Sequence, residues 1–274
     1  MEFKQLLVGT ALGRFFMNAR EQWSVQRAVF RNPEQVAALL NDRCARILIT
    51  RLCKPSAVFV DAGAHIGSVL AEARHHDASI QVVAVEAIPQ RAADLARRFP
   101  KAVVHSCALG DHAGKVSFFV DLARSGYSSL ARPATGSADG LQEITVQLCR
   151  LDDLIDASAA IDVVKIDVEG GEFAVLRGAD GMVSRCRPTI MFESGPGGAD
   201  RHGSSPEELH AWFAERSYDV FVPDRVAHDG PGLARDAFVE SHLYPRRTTN
   251  YFAIARERRA EIRDRARKAL GVRT

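Results

Sequence analysis

The residues of this 274-residue chain best suited to chemistry are acids that close apolar runs. Asp61 closes Ala57–Val60, Glu86 closes Val82–Val85, and Glu193 closes Thr189–Phe192. Asp167 and Glu169 follow Ile161–Ile166, a run that also carries Lys165. In a strand, residues two apart share a face, so Lys165 and Asp167 point one way while Val164 and Ile166 pack on the other. Charged residues seldom sit in a central strand for stability alone. Several carboxylates at one sheet edge repel one another, and at least one should hold its proton unless Lys165 or a ligand cation compensates. A carboxylate or a histidine within reach of a hydroxyl can take its proton as the oxygen attacks. Asp167, Glu169, Lys165, Glu193 and His65 are therefore the candidate catalytic residues. A structural reading stands beside this one, with Lys165 and Asp167 as a buried ion pair and Glu169 as a helix cap.

The second cluster is a turn. Asp61-x-Gly63-x-x-x-Gly67 follows an apolar β-branched run and precedes a helical pattern, as a strand, tight turn and helix N-terminus would. Glycines there allow positive φ or close approach of the backbone to a ligand. A dinucleotide site has three glycines, G-x-G-x-x-G, because a pyrophosphate needs backbone N–H groups at close range. The two-glycine spelling suits a nucleoside cofactor without phosphates, such as S-adenosylmethionine (SAM). Asp61 would meet the cofactor's ammonium, and Glu86, at the end of the next strand, its ribose hydroxyls.

These groups must be positioned by an alternation of strands and helices. Strand patterns fall at 57–61, 82–86, 102–106, 161–167 and 189–193, with helices from Val69, Pro89 and Glu172. Strands that read as continuous apolar runs imply a parallel sheet covered on both faces, with ligands outside its carboxyl edge. The rhythm changes at 116–120 and 144–148, two strand-like stretches around a polar 123–140 loop that is long enough to suggest a substrate-side role. A helix from Pro206 and strands at 218–222 and 251–255 read as a closing antiparallel hairpin at the sheet edge. Before the first strand, 1–54 is helical: Leu7, Ala11 and Phe15 recur at four-residue spacing, as in an amphipathic helix packed on the domain, and Asn32 and Pro33 start a second helix. We divide the chain into this helical cover, a domain over 55–256, and a charged, solvated helical tail over 257–274.

Composition narrows the class. At 46% hydrophobic and 26% charged residues the chain resembles an ordinary soluble protein, and a net charge of +2 argues against a dedicated nucleic-acid binder. Its five scattered cysteines lack zinc spacing and read as reduced core thiols, which fits a cytoplasmic setting. No run approaches a membrane span.

In order and spacing, the chain resembles the FkbM-type SAM-dependent methyltransferases. The matching stretches are Val60–Gly67, Val85–Pro89, Ala108–Asp111, Ser128–Leu130, Leu151–Leu154, Lys165–Glu172, Val175–Ala179 and Glu193. The resemblance implies a Rossmann-like seven-stranded, mostly parallel sheet with helices on both faces. It also implies SAM as donor and O-methylation of a hydroxyl on a sugar, glycolipid or secondary metabolite. By position, Asp61, Gly63, His65 and Gly67 look like the cofactor loop, Glu86 and Ala87 the ribose end, and Ser106, Ala108 and Leu109 the adenine wall. Lys165, Asp167, Glu169 and Glu193 fall where the family's acceptor side would be, and Asp167 also counts among the cofactor-binding residues. Two departures are His65, where Asn is frequent in the family, and Gly171, where Ala is frequent. A variant of this reading lets the acids hold a divalent metal. The alternatives from other classes are a non-catalytic nucleoside-binding or scaffold protein on the same fold and, less compatible with the missing glycine, a nicotinamide reductase.

Overall fold

The computed structural model describes residues 8–121, 130, 141–195 and 205–272. In chain order its elements are helices α1 (Ala11–Arg31) and α2 (Val36–Arg51), strand β1 (Val58–Ala62), α3 (Ser68–His76), β2 (Gln81–Glu86), α4 (Pro89–Arg98), β3 (Val103–Ser106) and β4 (Ala108–Leu109). Then come β5 (Gly114–Asp121), β6 (Leu141–Cys149), α5 (Leu151–Leu154), β7 (Ile161–Ile166), α6 (Glu172–Arg177), α7 (Asp180–Cys186) and β8 (Thr189–Glu193). The chain closes with α8 (Pro206–Glu215), β9 (Tyr218–Phe221), α9 (Arg235–Glu240), β10 (Asn250–Ala255) and α10 (Arg259–Leu270).

Seven strands form one sheet in the order β3-β2-β1-β7-β8-β10-β9. All its pairs are parallel except those of β10, which runs antiparallel to both β8 and β9. The mostly parallel sheet expected from the apolar runs, and the Rossmann-like seven-stranded form that the family resemblance implies, are therefore present. The closing hairpin differs in one respect: β10 lies inside the sheet, and β9 takes the edge. Val116–Val120 and Ile144–Leu148 belong to longer strands that pair antiparallel, β5 with β6, in a separate three-stranded sheet completed by β4.

Every residue of β1 and β7 is buried, as required of central strands covered on both faces. Val60, Ala62, Val164 and Ile166 enter one core. Phe59 and Val163 enter the opposite one, with Leu48 of α2, Leu70 of α3 and Ile262 of α10. Helix α2 thus covers a sheet face and not the cleft described below. Asn32 precedes a short 3-10 turn, Pro33–Gln35, and makes no side-chain cap bond.

The terminal helix departs from the solvated tail expected. Ile262 and Ala266 of α10 are fully buried, and Arg258 and Arg265 reach the buried Asp162 at the start of β7, Arg265 at 2.8 Å. Apolar residues four apart between arginines supply a packing face that the high charge density masks in the sequence. Helix α1 departs the other way, since Phe15 is exposed. The loop at 123–140, apart from Leu130, and the stretch 196–204 lie outside the described residues.

Candidate active site

The chain leaves β1 on one side and, after β3, returns through β7 on the other, so β1 and β7 flank the point where strand order reverses. A crevice opens outside the carboxyl ends at such a point. Asp61 of β1 and Lys165 of β7 are register partners there. Lys165 Nζ lies 3.2 Å from Asp61 Oδ1, 3.3 Å from Asp167 Oδ2 and 3.1 Å from the Gly63 carbonyl oxygen, to which it donates. The Gly63 contact is a hydrogen bond, and the two carboxylate contacts are ion pairs. Burial favours a neutral lysine, but Asp167 and Asp61 overcome it and raise the Lys165 pKa, so the residue stays charged. For Asp61, burial pushes the carboxyl upward against the pull of Lys165.

The loop after β1 is set by contact between the two strand exits. Gly63 N and Ala64 N both donate to the Val85 carbonyl at 3.0 Å, and Asp167 N donates to Ala62 O at 3.1 Å. Gly63 has φ +82°, and a Cβ on it would stand 1.9 Å from the Asp167 carbonyl oxygen. Gly63→Ala is therefore expected to cost several kcal/mol, from strain and from parting the strand exits. Chemical denaturation measures this, and an unchanged midpoint would refute the close approach. Gly67, at φ +78°, starts α3 against Leu95 and Phe99. His65 has φ +50°, in the left-handed region where Asn and His are both enriched. That backbone accommodates a histidine at this turn.

With His65 so turned, its backbone N–H donates to Glu86 Oε2 at 2.8 Å, while Ile88 N donates to Oε1 at 3.0 Å. Arg91 stands 3.9 Å from the same carboxylate. Burial raises the Glu86 pKa, and the Ile88 N–H, the Arg91 guanidinium and the His65 N–H work against that rise.

On the facing rim, burial opposes charge at Asp167, yet Lys165 and a hydrogen bond from Glu193 hold its carboxyl below the usual range. Glu193 is pushed up to about 9 by burial, then by Asp167, Glu169 and Glu172. Burial and the neighbouring acids thus favour the protonated form of Glu193 beside an ionised Asp167. Carboxylate oxygens of Asp167, Glu169 and Glu193 come within 4.8 Å of one another, the gathering that the metal variant needs. The Glu193 proton already relieves their repulsion. Glu172 secures the loop: its Oε1 accepts from Val168 N and Gly170 N, each at 3.0 Å. Glu169 itself has φ +59° and faces the cleft.

A Glu193→Gln variant keeps the donor to Asp167 and removes the titration. The folded-state pKa of Glu193 is raised from 4.5 to about 9. The stability linked to it is fully present below 4.5 and is lost as pH rises to about 9. The variant should therefore gain on the natural chain across that window, by on the order of a few kcal/mol at its upper end. Thermal melts from pH 5 to 9 read this out; parallel curves would mean that Glu193 is ionised.

Between Glu86 and Asp167 lies a cleft of about 170 Å³. Of the residues anticipated from the sequence, Gly63, His65, Glu86, Ala87, Ala108, Leu109, Asp167 and Glu169 line it. Asp61, Gly67, Lys165 and Glu193 stand behind the lining, and Ser106 is exposed away from it. Asp61, expected to meet a cofactor's ammonium, lies beside the Lys165 ammonium. Arg91 and Phe118 line the cleft without having been singled out, and Leu130 lines it from the loop expected on the substrate side. Arg91 had a faint signal, being in the first turn of a Pro-started helix behind Glu86. Phe118 comes from the three-stranded sheet, whose docking is non-local.

A seven-stranded sheet with one antiparallel strand inserted next to its edge, and an acid closing each strand beside the switch point, defines a Rossmann-like methyltransferase fold. The chain belongs to the methyltransferase FkbM domain family, which it matches over residues 61–220. A search of curated proteins finds no significant match. Among solved structures, the chain is similar to a methyltransferase FkbM from Methylobacillus flagellatus KT (17% identity, TM-score 0.45), covering 79% of this chain and 59% of that one. It is also similar to a TehB-like SAM-dependent methyltransferase from Corynebacterium glutamicum (11% identity, TM-score 0.38), covering 87% and 95%. A third is the plantazolicin methyltransferase BpumL, solved with a pentazolic desmethylPZN analog and SAH (8% identity, TM-score 0.43), covering 92% and 97%. This chain therefore spans about 59% of the length of the FkbM protein from Methylobacillus.

Proposed function

We propose that this chain moves a methyl group from SAM to a hydroxyl oxygen of a sugar, glycolipid or secondary metabolite. The observation that carries the reading is one cleft with a buried, doubly N–H-bonded carboxylate at one end and a charged, partly open one at the other. The first end fits a nucleoside. Glu86 offers an acceptor for ribose hydroxyls, while Val85, Ala108, Leu109 and Phe118 give apolar walls for a purine. Gly63, His65 and Ala87 complete that end. When bound, SAM would supply an electrophilic methyl on a sulfonium.

The chain's own part is to place and deprotonate the acceptor. Asp167, with its side chain 37% exposed, accepts a hydrogen bond from the acceptor hydroxyl and takes its proton as the oxygen attacks. Lys165, held by Asp61 and the Gly63 carbonyl, fixes the Asp167 carboxylate in position. Glu193 spreads the charge through its hydrogen bond to Asp167. Glu169 and His65 border the same space and orient the acceptor. Most of the acceleration in such an in-line displacement comes from alignment of the reacting atoms. The crowded acids alone support the divalent-metal variant, and activity that survives a chelator would dispose of it.

Transfer of tritium from methyl-labelled SAM to a panel of polyhydroxylated acceptors tests the reaction. A Glu86→Gln variant should raise the KM for SAM roughly ten- to hundredfold, the loss of a charged hydrogen-bond acceptor. Binding of SAM without transfer to any acceptor would favour the non-catalytic alternative.

A further inference from the structure

Helix α1 leaves an apolar face open. Leu12, Phe15, Phe16, Trp23 and Phe30 are each more than half exposed, Phe30 at 87%. At 100° per residue, Leu12, Phe16, Trp23 and Phe30 fall within one narrow stripe, with Phe15 at its margin. The opposite side of the helix is the one that docks: Ala28 is buried, and both Glu21 oxygens accept from Arg46 of α2 at 2.7 Å. Among the described residues nothing covers the stripe.

The charges beside the stripe indicate what does. Arg20, Arg27 and Arg31 are exposed and recur seven and four residues apart, so they line one flank. None makes an ion pair among the described residues. The one acid of α1, Glu21, is engaged by Arg46 on the far side. Two copies of this face would bring arginines to arginines, with no acid to pair them. A stripe of Trp, Phe and Leu flanked by arginine suits the headgroup and acyl boundary of an anionic bilayer. No described helix is long and apolar enough to cross a membrane, so the contact would be peripheral. We infer that α1 lies on the surface of an anionic membrane, with Leu12, Phe16, Trp23 and Phe30 in the acyl boundary and the three arginines at the phosphates.

The placement has a consequence for the site. Arg98 donates to Ile66 O at 3.0 Å and to Val8 O at 3.2 Å, which ties the chain just before α1 to the loop that forms the cleft floor. A membrane-bound α1 would therefore bear on the loop after β1 through Arg98.

The full chain, sedimented with vesicles of phosphatidylcholine alone or with about a third phosphatidylglycerol, tests the inference. Binding is expected only to the anionic vesicles, with a blue shift of Trp23 emission and release by salt; Trp212 is buried and serves as an internal reference. Phe16→Ser, Trp23→Ser and Phe30→Ser combined should cut the bound fraction at least about tenfold. Arg20→Gln, Arg27→Gln and Arg31→Gln combined should abolish the preference for anionic lipid. Both variants should retain the far-ultraviolet dichroism of the natural chain. Failure of the natural chain to bind anionic vesicles would overturn the inference. So would equal binding to both vesicle types, or dimerisation through the stripe in place of vesicle binding.

Discussion

Asp167→Asn is expected to lower kcat by about two to four orders of magnitude, the contribution of a positioned general base. The substitution is nearly isosteric, and Lys165 keeps Asp61 and the Gly63 carbonyl as partners, so the chain should still fold. Loss of the Asp167 charge also removes the second-largest cause of the high Glu193 pKa. Residual activity should therefore follow a pH profile displaced toward lower pH, a signature that a purely structural role would not give. Steady-state kinetics across pH decide it. A variant with the natural kcat would remove Asp167 from the chemistry and leave His65 and Glu169 as the cleft-lining candidates.

The largest effect on stability should come from Lys165→Met. The ammonium is buried between two carboxylates, and its removal leaves Asp61, 1% exposed, with no counter-charge. Breaking a buried pair on one side costs about 3–5 kcal/mol, and in a chain of this size that lowers Tm by roughly 10 °C. Asp61→Leu added to Lys165→Met removes the stranded charge and should recover part of the loss, since an apolar pair can replace a buried ion pair at little cost. A single variant as stable as the natural chain would show that Asp61 is already neutral. Lys165 would then be dispensable as a positioning residue.

The central sheet was legible because its strands are apolar on both faces, so β1, β2, β7 and β8 stand out as runs ended by an acid. Two residues gave the heart of the site for a similar reason: a lysine and an aspartate two apart in such a run have no structural excuse except each other. The pairing of Lys165 with Asp61 was not legible, because it depends on β1 and β7 being register neighbours 104 positions apart. Nor was the proton on Glu193, which follows from three other acids converging on it in space. Phe118 entered the cleft from a separate sheet, and Ile262 and Ala266 were hidden by the arginines around them. In each case the missing information was a long-range contact. For α1, Phe15, expected to pack on the domain, is exposed.

The proposed reaction depends on Glu86 and the loop after β1 forming a nucleoside site. Titration calorimetry of the full chain with S-adenosylhomocysteine tests that directly. Saturable heat with one site per chain is expected, weakened in Glu86→Gln. No heat with either S-adenosylhomocysteine or SAM, in a protein that melts cooperatively, would contradict it.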